Sequence, residues 1–495
     1  MAQKKTKRIL IAGAGPGGLT AAMILGRRGY DVEVYEKQPR VGGRNGRVTL
    51  QNFHFDLGPT FLMLKNVLDE VFQEAGAKSE DLLRCKRLEP MYRLQFADQR
   101  VEPTSDHAAM QAEIGRLFPG KESTYEAFIA RERERFGRLY PCLQRPYHHF
   151  GTLFSLQLLR SLPHLALGKT LYDVLSGYFT DPTLSLSFTF QAKYLGMSPW
   201  ECPGLFAIIP YIEHEFGIYH VYGGLNRISE QMAATAMAQG VKIHLSTPVK
   251  QLLLDGRAVR GFLLEDGREV HGDEVIINAD FADAMCSLVP PGALRKYTPE
   301  RLAKKRFSCS TFMLYLGVDK IYPSPHHCIV FARDYQANVT GIFNGAEFPD
   351  DFSFYVHNPS VTDDSLAPAG QSAVYVLVPT ANLRGRIDWS RDSQRIRELV
   401  LDALETRGGM PELRRHIVAE KMVTPVDWQD SYNVYAGATF NLAHNFSQML
   451  YLRPRNKFEE LDHCYLVGGG THPGSGLPTI YQSGLIAANL ISAAT

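Results

Sequence analysis

One short stretch near the start constrains this chain more than any other. An apolar run, Arg8-Ile9-Leu10-Ile11-Ala12, reads as a buried strand. It delivers Gly13-Ala14-Gly15-Pro16-Gly17-Gly18 onto a helical pattern from Leu19 to Arg28, closed by Gly29. Asp31-Val32-Glu33-Val34-Tyr35-Glu36 reads as a second strand. The unit is strand, helix, strand with glycines at Gly13, Gly15 and Gly18. Gly13 permits a tight turn, Gly15 lets the backbone approach a pyrophosphate, and Gly18 lets helix and strand pack closely. Gly17 completes the glycine turn at the helix start. The free N–H groups and partial positive charge of the helix N-terminus suit phosphate. Glu36, at the end of the second strand, accepts from ribose hydroxyls and disfavours a 2′-phosphate. This register of elements is a dinucleotide site rather than a glycine-rich turn.

Two further segments say which dinucleotide. Val41-Gly42-Gly43-Arg44 follows shortly after Glu36, and Phe55-Asp56-Leu57-Gly58-Pro59-Thr60 comes soon after. At the other end, an apolar run (Cys464 to Val467) enters Gly468-Gly469-Gly470-Thr471-His472-Pro473-Gly474-Ser475-Gly476-Leu477-Pro478, and a helix follows over about 479–493, with Pro478 suited to its first turn. A second strand thus feeds a second glycine-rich loop onto a second helix N-terminus. The N-terminal pattern resembles the flavoprotein superfamily that includes amine oxidases and carotenoid desaturases. The loop from Tyr465 to Leu477, with Ser483 beyond it, resembles the C-terminal signature of the bacterial-type carotenoid (phytoene and 4,4'-diapophytoene) desaturases. Related carotenoid oxidases tend to lack the Thr-His-Pro-Gly form. His463 departs from the Asn or Gly expected at the signature's first position. Arg306-Phe307-Ser308-Cys309-Ser310, Ser365-Leu366-Ala367-Pro368 and Thr424-Pro425-Val426-Asp427 extend the resemblance to nearly the whole chain, most weakly over 100–180.

The resemblance implies FAD as cofactor. It implies that Gly13, Gly15, Gly17, Gly18, Glu36, Gly43, Arg44, Gly58, Pro59, Thr60, Val249, Gly469, Gly470, Gly476 and Leu477 contact it. Arg44 offers a forked cation to the pyrophosphate; its plain alternative is a surface arginine. The implied architecture is α/β: a discontinuous Rossmann-like FAD-binding domain (residues 1–95, 221–290 and 461–495), a β-sheet substrate domain (291–460) and a mostly helical subdomain (96–220) that can serve as a membrane-associating lid.

Composition excludes several rival classes. The 495 residues carry 53 Lys plus Arg against 52 Asp plus Glu, so a net charge of +1 gives no global attraction to nucleic acid. Seven scattered cysteines without a CxxC pair argue against a disulfide framework and a thiolate zinc site, and favour a reducing cytoplasm. The basic start, Lys4-Lys5 to Lys7-Arg8, precedes an apolar stretch too short and glycine-broken for a signal peptide. No apolar run approaches the ~18 residues of a spanning helix. The segment from Tyr147 to Tyr178 is rich in Leu, Phe and Tyr, with His148, His149, Arg160, His164 and Lys169 interspersed. It reads either as a helical unit packed on the core or as an interfacial patch, which would make the protein cytoplasmic and peripherally membrane-associated. The run Arg131-Glu132-Arg133-Glu134-Arg135 reads as a solvated helix face. The aromatic stretch 206–222 reads as core rather than tunnel wall.

Other chemistry is sparse. His326-His327 with Cys328 shows no distant partner in the sequence, so no metal site is assigned. Catalytic residues stay unassigned: Glu215, His220 and His472 are acid-base candidates, each more economically structural. A hydrocarbon polyene has no acidic proton, so the expected chemistry is hydride removal to give a delocalised allylic cation, flavin as acceptor, and proton loss from the neighbouring carbon. The protein's part is orientation in an apolar channel. Oxygen or a quinone would reoxidise the flavin. The alternatives are a carotenoid isomerase or oxidase or an amine oxidase on the same scaffold, or a non-catalytic prenyl-lipid carrier.

Overall fold

The computed structural model describes residues 7–147 and 150–494; residues 1–6, 148–149 and 495, with His148 and His149 among them, lie outside the described residues. Among the described residues a five-stranded sheet is entirely parallel, in the order Cys464–Leu466, Glu274–Ile277, Arg8–Ala12, Asp31–Tyr35, Lys242–His244. Its strands are short apolar runs because both faces are covered. On one face lies the first helix, Pro16–Arg27, buried from Pro16 to Gly26. It begins at Pro16 rather than Leu19, because Pro fits the first turn and Gly17 and Gly18 continue it without side chains. The last helix, Leu477–Ala493, crosses it so closely that a Cβ on Gly484 would stand 2.6 Å from the Gly17 carbonyl oxygen. A three-stranded antiparallel sheet, Val249–Asp255, Ala258–Leu264 and Glu269–His271, packs on the other side through Leu252, Phe262 and Leu264.

A seven-stranded sheet forms the second layer, in the order Ile417–Val423, Ser310–Val318, Ser372–Thr380, Phe354–His357, His327–Val330, Arg93–Gln95, Arg100–Val101. Its pairs are antiparallel except His327–Val330 with Arg93–Gln95. Ser310–Val318 is buried along its whole length. The helix Trp389–Thr406 covers one face through Ile396, Val400 and Leu404, and the other face packs on Phe53, Phe55 and Leu57 next to the first sheet.

Between 107 and 216 the described residues are mostly helical, with one 22-residue helix, Glu122–Leu143, among shorter ones. Here the charge run departs from expectation. Arg131, Arg133 and Glu134 are exposed, but Glu132 and Arg135 lie on the inward face of the helix Glu122–Leu143 and pair at 2.6 Å. Their three-residue spacing puts them on one side, and burial demands that each have a partner. The stretch 206–222 contributes Ile208, Tyr211, Ile212 and Val221 to the core. No described helix is long and apolar enough to cross a membrane.

Candidate active site

All the parallel strands point their carboxyl ends to one side, the side where open α/β sheets bind ligands. Gly13 follows the central strand with φ +100°, and its N–H donates to the Tyr35 carbonyl (2.8 Å). Asn278, just past Glu274–Ile277, donates from Nδ2 to the Gly13 carbonyl (3.0 Å). A Cβ on Gly18 would come within 2.4 Å of that same carbonyl oxygen, so only glycine fits. Glu36 is buried at the end of the second strand. Its carboxylate accepts from the Ala14 N–H (2.7 Å) and the Gln38 N–H (2.8 Å), while burial raises its pKa.

The other segments gather around this turn. The Gly42 N–H donates to the Ala14 carbonyl (2.8 Å), and Gly43 lies over Gly15, where a Cβ would stand 3.6 Å from the Gly15 Cα. Arg44 donates from Nη1 to the Thr439 carbonyl (2.8 Å) and stands 3.7 Å from the buried Asp280. The hydrogen-bonding pattern assigns the Asn441 amide to this triad with its nitrogen turned to Asp280 (2.7 Å) and its oxygen to Arg44 (2.9 Å). Burial pushes the Asp280 carboxyl up to about 6, with Arg44 opposing. Val249 opens its strand beside Glu36, since the Thr247 N–H donates to the Glu36 carbonyl (2.8 Å).

From the far end of the chain, Gly468 arrives next to the first helix. A Cβ on Gly17 would lie 3.1 Å from the Gly468 amide nitrogen. That N–H donates to Ser483 Oγ (2.9 Å). Gly469 accepts from Arg453 (2.7 Å), Gly470 abuts Phe281, and Gly476 and Leu477 open the last helix. Both helix starts, at Gly15 and Gly476, lack a side-chain cap and any acidic residue in the first turn. Two uncapped N-termini, glycines without side chains over the turn and a buried carboxylate at its edge fit a dinucleotide: anion at the N–H groups, ribose at the acid.

The Gly58-Pro59-Thr60 turn is held from the second sheet. Tyr315 donates from its hydroxyl to the Leu57 carbonyl (2.6 Å) and Tyr375 to the Gly58 carbonyl (2.8 Å). The turn also meets the Gly43–Asn45 segment, where a Cβ on Gly58 would stand 2.7 Å from the Arg44 carbonyl oxygen. Asp56, just before it, accepts from the Asn226 N–H (3.2 Å) and so caps the helix Asn226–Ala238. Burial raises its pKa to about 6. Beyond Thr60, an aromatic wall joins the helical region to the sheet: Phe61 lies 5.5 Å from Tyr194, 5.6 Å from Tyr355 and 6.3 Å from Tyr92 between ring centroids.

The three acid-base candidates are each held by other side chains. Glu215 is a surface acid paired with Arg133 (2.8 Å) and His107 (3.3 Å). His472 is buried against Tyr147, its pKa pushed down to about 3. His220 bonds Asp363 at 3.0 Å, and the same carboxylate accepts from the Gly223 N–H (2.7 Å). Sequence reasoning missed Glu213, which is fully buried behind the aromatic wall and accepts from Tyr92 (2.9 Å) and Gln191 (2.8 Å) at one oxygen. Burial raises its pKa to about 7. It also missed Arg453, fully buried, whose guanidinium donates to the carbonyls of Thr471, Gln448, Leu442 and Gly469 and braces the C-terminal loop.

Comparisons with known proteins agree with this geometry. Residues 16–492 match the family described as flavin containing amine oxidoreductase. The chain is 54% identical to a 4,4'-diapophytoene desaturase (4,4'-diapolycopene-forming) from Methylomonas sp, over 98% of this chain and 95% of that one. It is 37% identical to a zeta-carotene-forming phytoene desaturase from Myxococcus xanthus, over 99% and 94%. Its fold matches an oxidoreductase from Methanosarcina mazei with a TM-score of 0.65 at 16% identity, covering 98% of this chain and 100% of the other. The chain belongs to the flavin containing amine oxidoreductase family. Its place within that family is among the carotenoid desaturases, and its cofactor is FAD.

Proposed function

We propose that this enzyme introduces double bonds into the thirty-carbon polyene 4,4'-diapophytoene, the substrate named for the 54% identical relative. The phytoene-acting relative at 37% identity supports the forty-carbon reading, which ranks second. The observation that carries the proposal is the meeting of the Gly17 and Gly468 loops near a turn, Gly58 to Thr60, that leads straight into a cluster of aromatic rings around Phe61. A charged or polar substrate would leave that wall without a purpose; a polyene packs on it.

In this reading Gly13, Gly15, Gly17, Gly18, Gly43, Arg44, Gly469, Gly470, Gly476 and Leu477 cradle the pyrophosphate and flavin ends, Glu36 and Val249 the adenosine end, and Gly58, Pro59 and Thr60 the substrate side. Bound FAD supplies a hydride acceptor. The chain supplies orientation and dryness. Tyr315 and Tyr375 fix the turn, Phe61, Tyr92, Tyr194 and Tyr355 align the polyene and exclude water, and the uncapped start of the last helix favours negative charge at its N–H groups. The parallel-sheet segments 1–95, 221–290 and 461–495 thus hold the cofactor, and 291–460 backs the substrate.

The same reading gives the exposed apolar side chains a role. Phe154, Leu156, Leu159, Leu162 and Leu167 are 45–64% exposed, next to the exposed cations Arg160 and Lys169. Such a patch suits a peripheral contact with a bilayer, from which both the substrate and a quinone acceptor can be drawn; oxygen is the other acceptor. Expression in cells that make either diapophytoene or phytoene, followed by pigment extraction, tests the substrate. A more conjugated product in the diapophytoene strain alone supports the proposal. A product in the phytoene strain alone overturns the choice of carbon number, and unchanged polyene in both overturns desaturation.

A further inference from the structure

Four imidazoles from three separate stretches meet on the far side of Tyr355. His220 comes from the strand Tyr219–Val221, His326 and His327 stand at the start of His327–Val330, and His357 ends Phe354–His357. All four are at most 8% exposed. Their ring centroids are 4.7 Å apart for His220 and His326, 5.0 Å for His326 and His357, and 4.9 Å for His327 and His357. In sequence only the His326-His327 pair is visible. The fold brings His220 to it from more than a hundred residues upstream, and the pairing of His327 with His357 across the sheet adds another.

The nitrogens are arranged as a ligand set. One ring nitrogen from each of His220, His326 and His357 lies within 4.8 Å of the other two. His326 Nε2 and His357 Nε2 face each other at 3.2 Å. Two imidazole nitrogens bound to one tetrahedral ion at ~2.0–2.1 Å stand about 3.3 Å apart. Two of the three outer nitrogens are tied off as they are around a metal. His326 Nδ1 meets Thr362 Oγ1 (3.0 Å), which leaves Nε2 to face inward. His220 Nε2 meets the buried Asp363 carboxylate (3.0 Å), and its Nδ1 is buried with no partner. A carboxylate that accepts a hydrogen bond from one imidazole N–H, leaving the other nitrogen with its lone pair, is the usual outer support of a histidine ligand. Asp363 is itself anchored by the N–H groups of Gly223 (2.7 Å) and Ser365 (3.0 Å).

We propose that His220, His326 and His357 form a binding site for a divalent transition-metal ion, with Asp363 orienting His220. An all-imidazole set selects against magnesium and calcium, and a compact buried triad of neutral nitrogens suits zinc. Cys328 does not take part: it pairs with Val356, one residue out of phase with the His327–His357 pair, so its side chain lies on the opposite face of the sheet from the ligand His357. The ion would fasten the short strand Tyr219–Val221 to the edge of the large sheet. It would also stiffen the line His327, Tyr355, Thr60, joined by hydrogen bonds of 2.7 Å each, that ends at the Gly58-Pro59-Thr60 turn.

The test uses the full-length, FAD-loaded protein, purified without a histidine tag and incubated with one equivalent of zinc, then freed of loose metal by gel filtration. Metal analysis should find about one zinc per chain. His357→Gln and His220→Gln should each fall to background, Asp363→Asn should bind about 10–100-fold more weakly, and His416→Gln, a surface imidazole beside Asp319, should keep its zinc. Cobalt in place of zinc should give visible d–d bands beyond the flavin absorption. Wild-type protein that is folded and flavin-loaded yet retains no zinc and shows no cobalt bands overturns the site, as does equal metal retention in His357→Gln. A variant that fails to fold does not shield the proposal, because the wild-type stoichiometry and cobalt spectrum decide it alone.

Discussion

Gly17 and Gly468, from opposite ends of the chain, are in contact: a methyl group on Gly17 would stand 3.1 Å from the Gly468 amide nitrogen. The contact depends on the close crossing of the first and last helices at Gly484, where a Cβ meets Thr20 at 2.7 Å as well as the Gly17 carbonyl. Gly484→Ala should therefore force the helices apart. The expected cost is about 1–3 kcal/mol of stability, read as a lower Tm, together with a lower flavin content on purification. Unchanged Tm and full flavin loading would show that the crossing tolerates a side chain.

Glu36 accepts two backbone N–H bonds at the edge of the glycine turn. Glu36→Ala should weaken FAD binding by about tenfold to a hundredfold, the equivalent of losing a charged acceptor worth ~1.5–3 kcal/mol. Titration of the deflavinated protein with FAD, followed by flavin fluorescence, gives the value. Glu36→Gln should fall between the two, because it keeps one acceptor.

Tyr375 holds the Gly58 carbonyl from the other sheet. Tyr375→Phe should leave flavin loading largely intact, since the hydroxyl touches only one backbone carbonyl of the turn and the ring stays in place. It should lower turnover by about tenfold at most, for a lost hydrogen bond of ~0.5–1.5 kcal/mol. Steady-state product formation, normalised to bound flavin, separates the two effects.

Glu213 gives a pH dependence of stability. Its folded pKa of about 7 lies above the ordinary 4.5 because burial penalises the carboxylate. Below the ordinary value both states are protonated and the penalty is absent. Between there and about 7 the unfolded chain ionises while the folded chain keeps its proton, so stability falls as pH rises, and the loss is complete above the folded pKa. Glu213→Gln should flatten this slope and be the more stable protein at about pH 8, by on the order of 2–3 kcal/mol. Urea midpoints measured across the range check the sign.

Leu159 and Leu162 are 46% and 45% exposed in the apolar patch. The double change Leu159→Glu, Leu162→Glu should reduce co-sedimentation with lipid vesicles by about tenfold or more, as each leucine buried in lipid is worth ~1.5–3 kcal/mol. Flavin content should not change.

The strand-helix-strand unit at the start of the chain was legible in the sequence because it is local. Gly13, Gly18 and Glu36 sit on one strand-helix-strand unit whose spacing carries its own geometry. The C-terminal loop was legible for the same reason. What holds these pieces together was not. Asn278, Arg453 and the Tyr315–Tyr375 pair act across the fold on backbone carbonyls, and a carbonyl acceptor leaves no residue pattern to read. Glu132 and Arg135 looked like part of a solvated run because their neighbours are charged; only the packing of their helix reveals which side faces inward. Glu213 was overlooked in favour of Glu215, two residues on, since the helix Ile208–Phe216 turns one inward and the other out.

The most direct measurement is a single anaerobic turnover. The FAD-loaded protein is mixed with vesicles containing diapophytoene, in the absence of any electron acceptor, while the flavin absorption and the polyene spectrum are recorded together. The account predicts that the oxidised flavin band bleaches as one further conjugated double bond appears per flavin. Substrate conversion without bleaching, or a flavin that stays oxidised beside unchanged polyene, would contradict it.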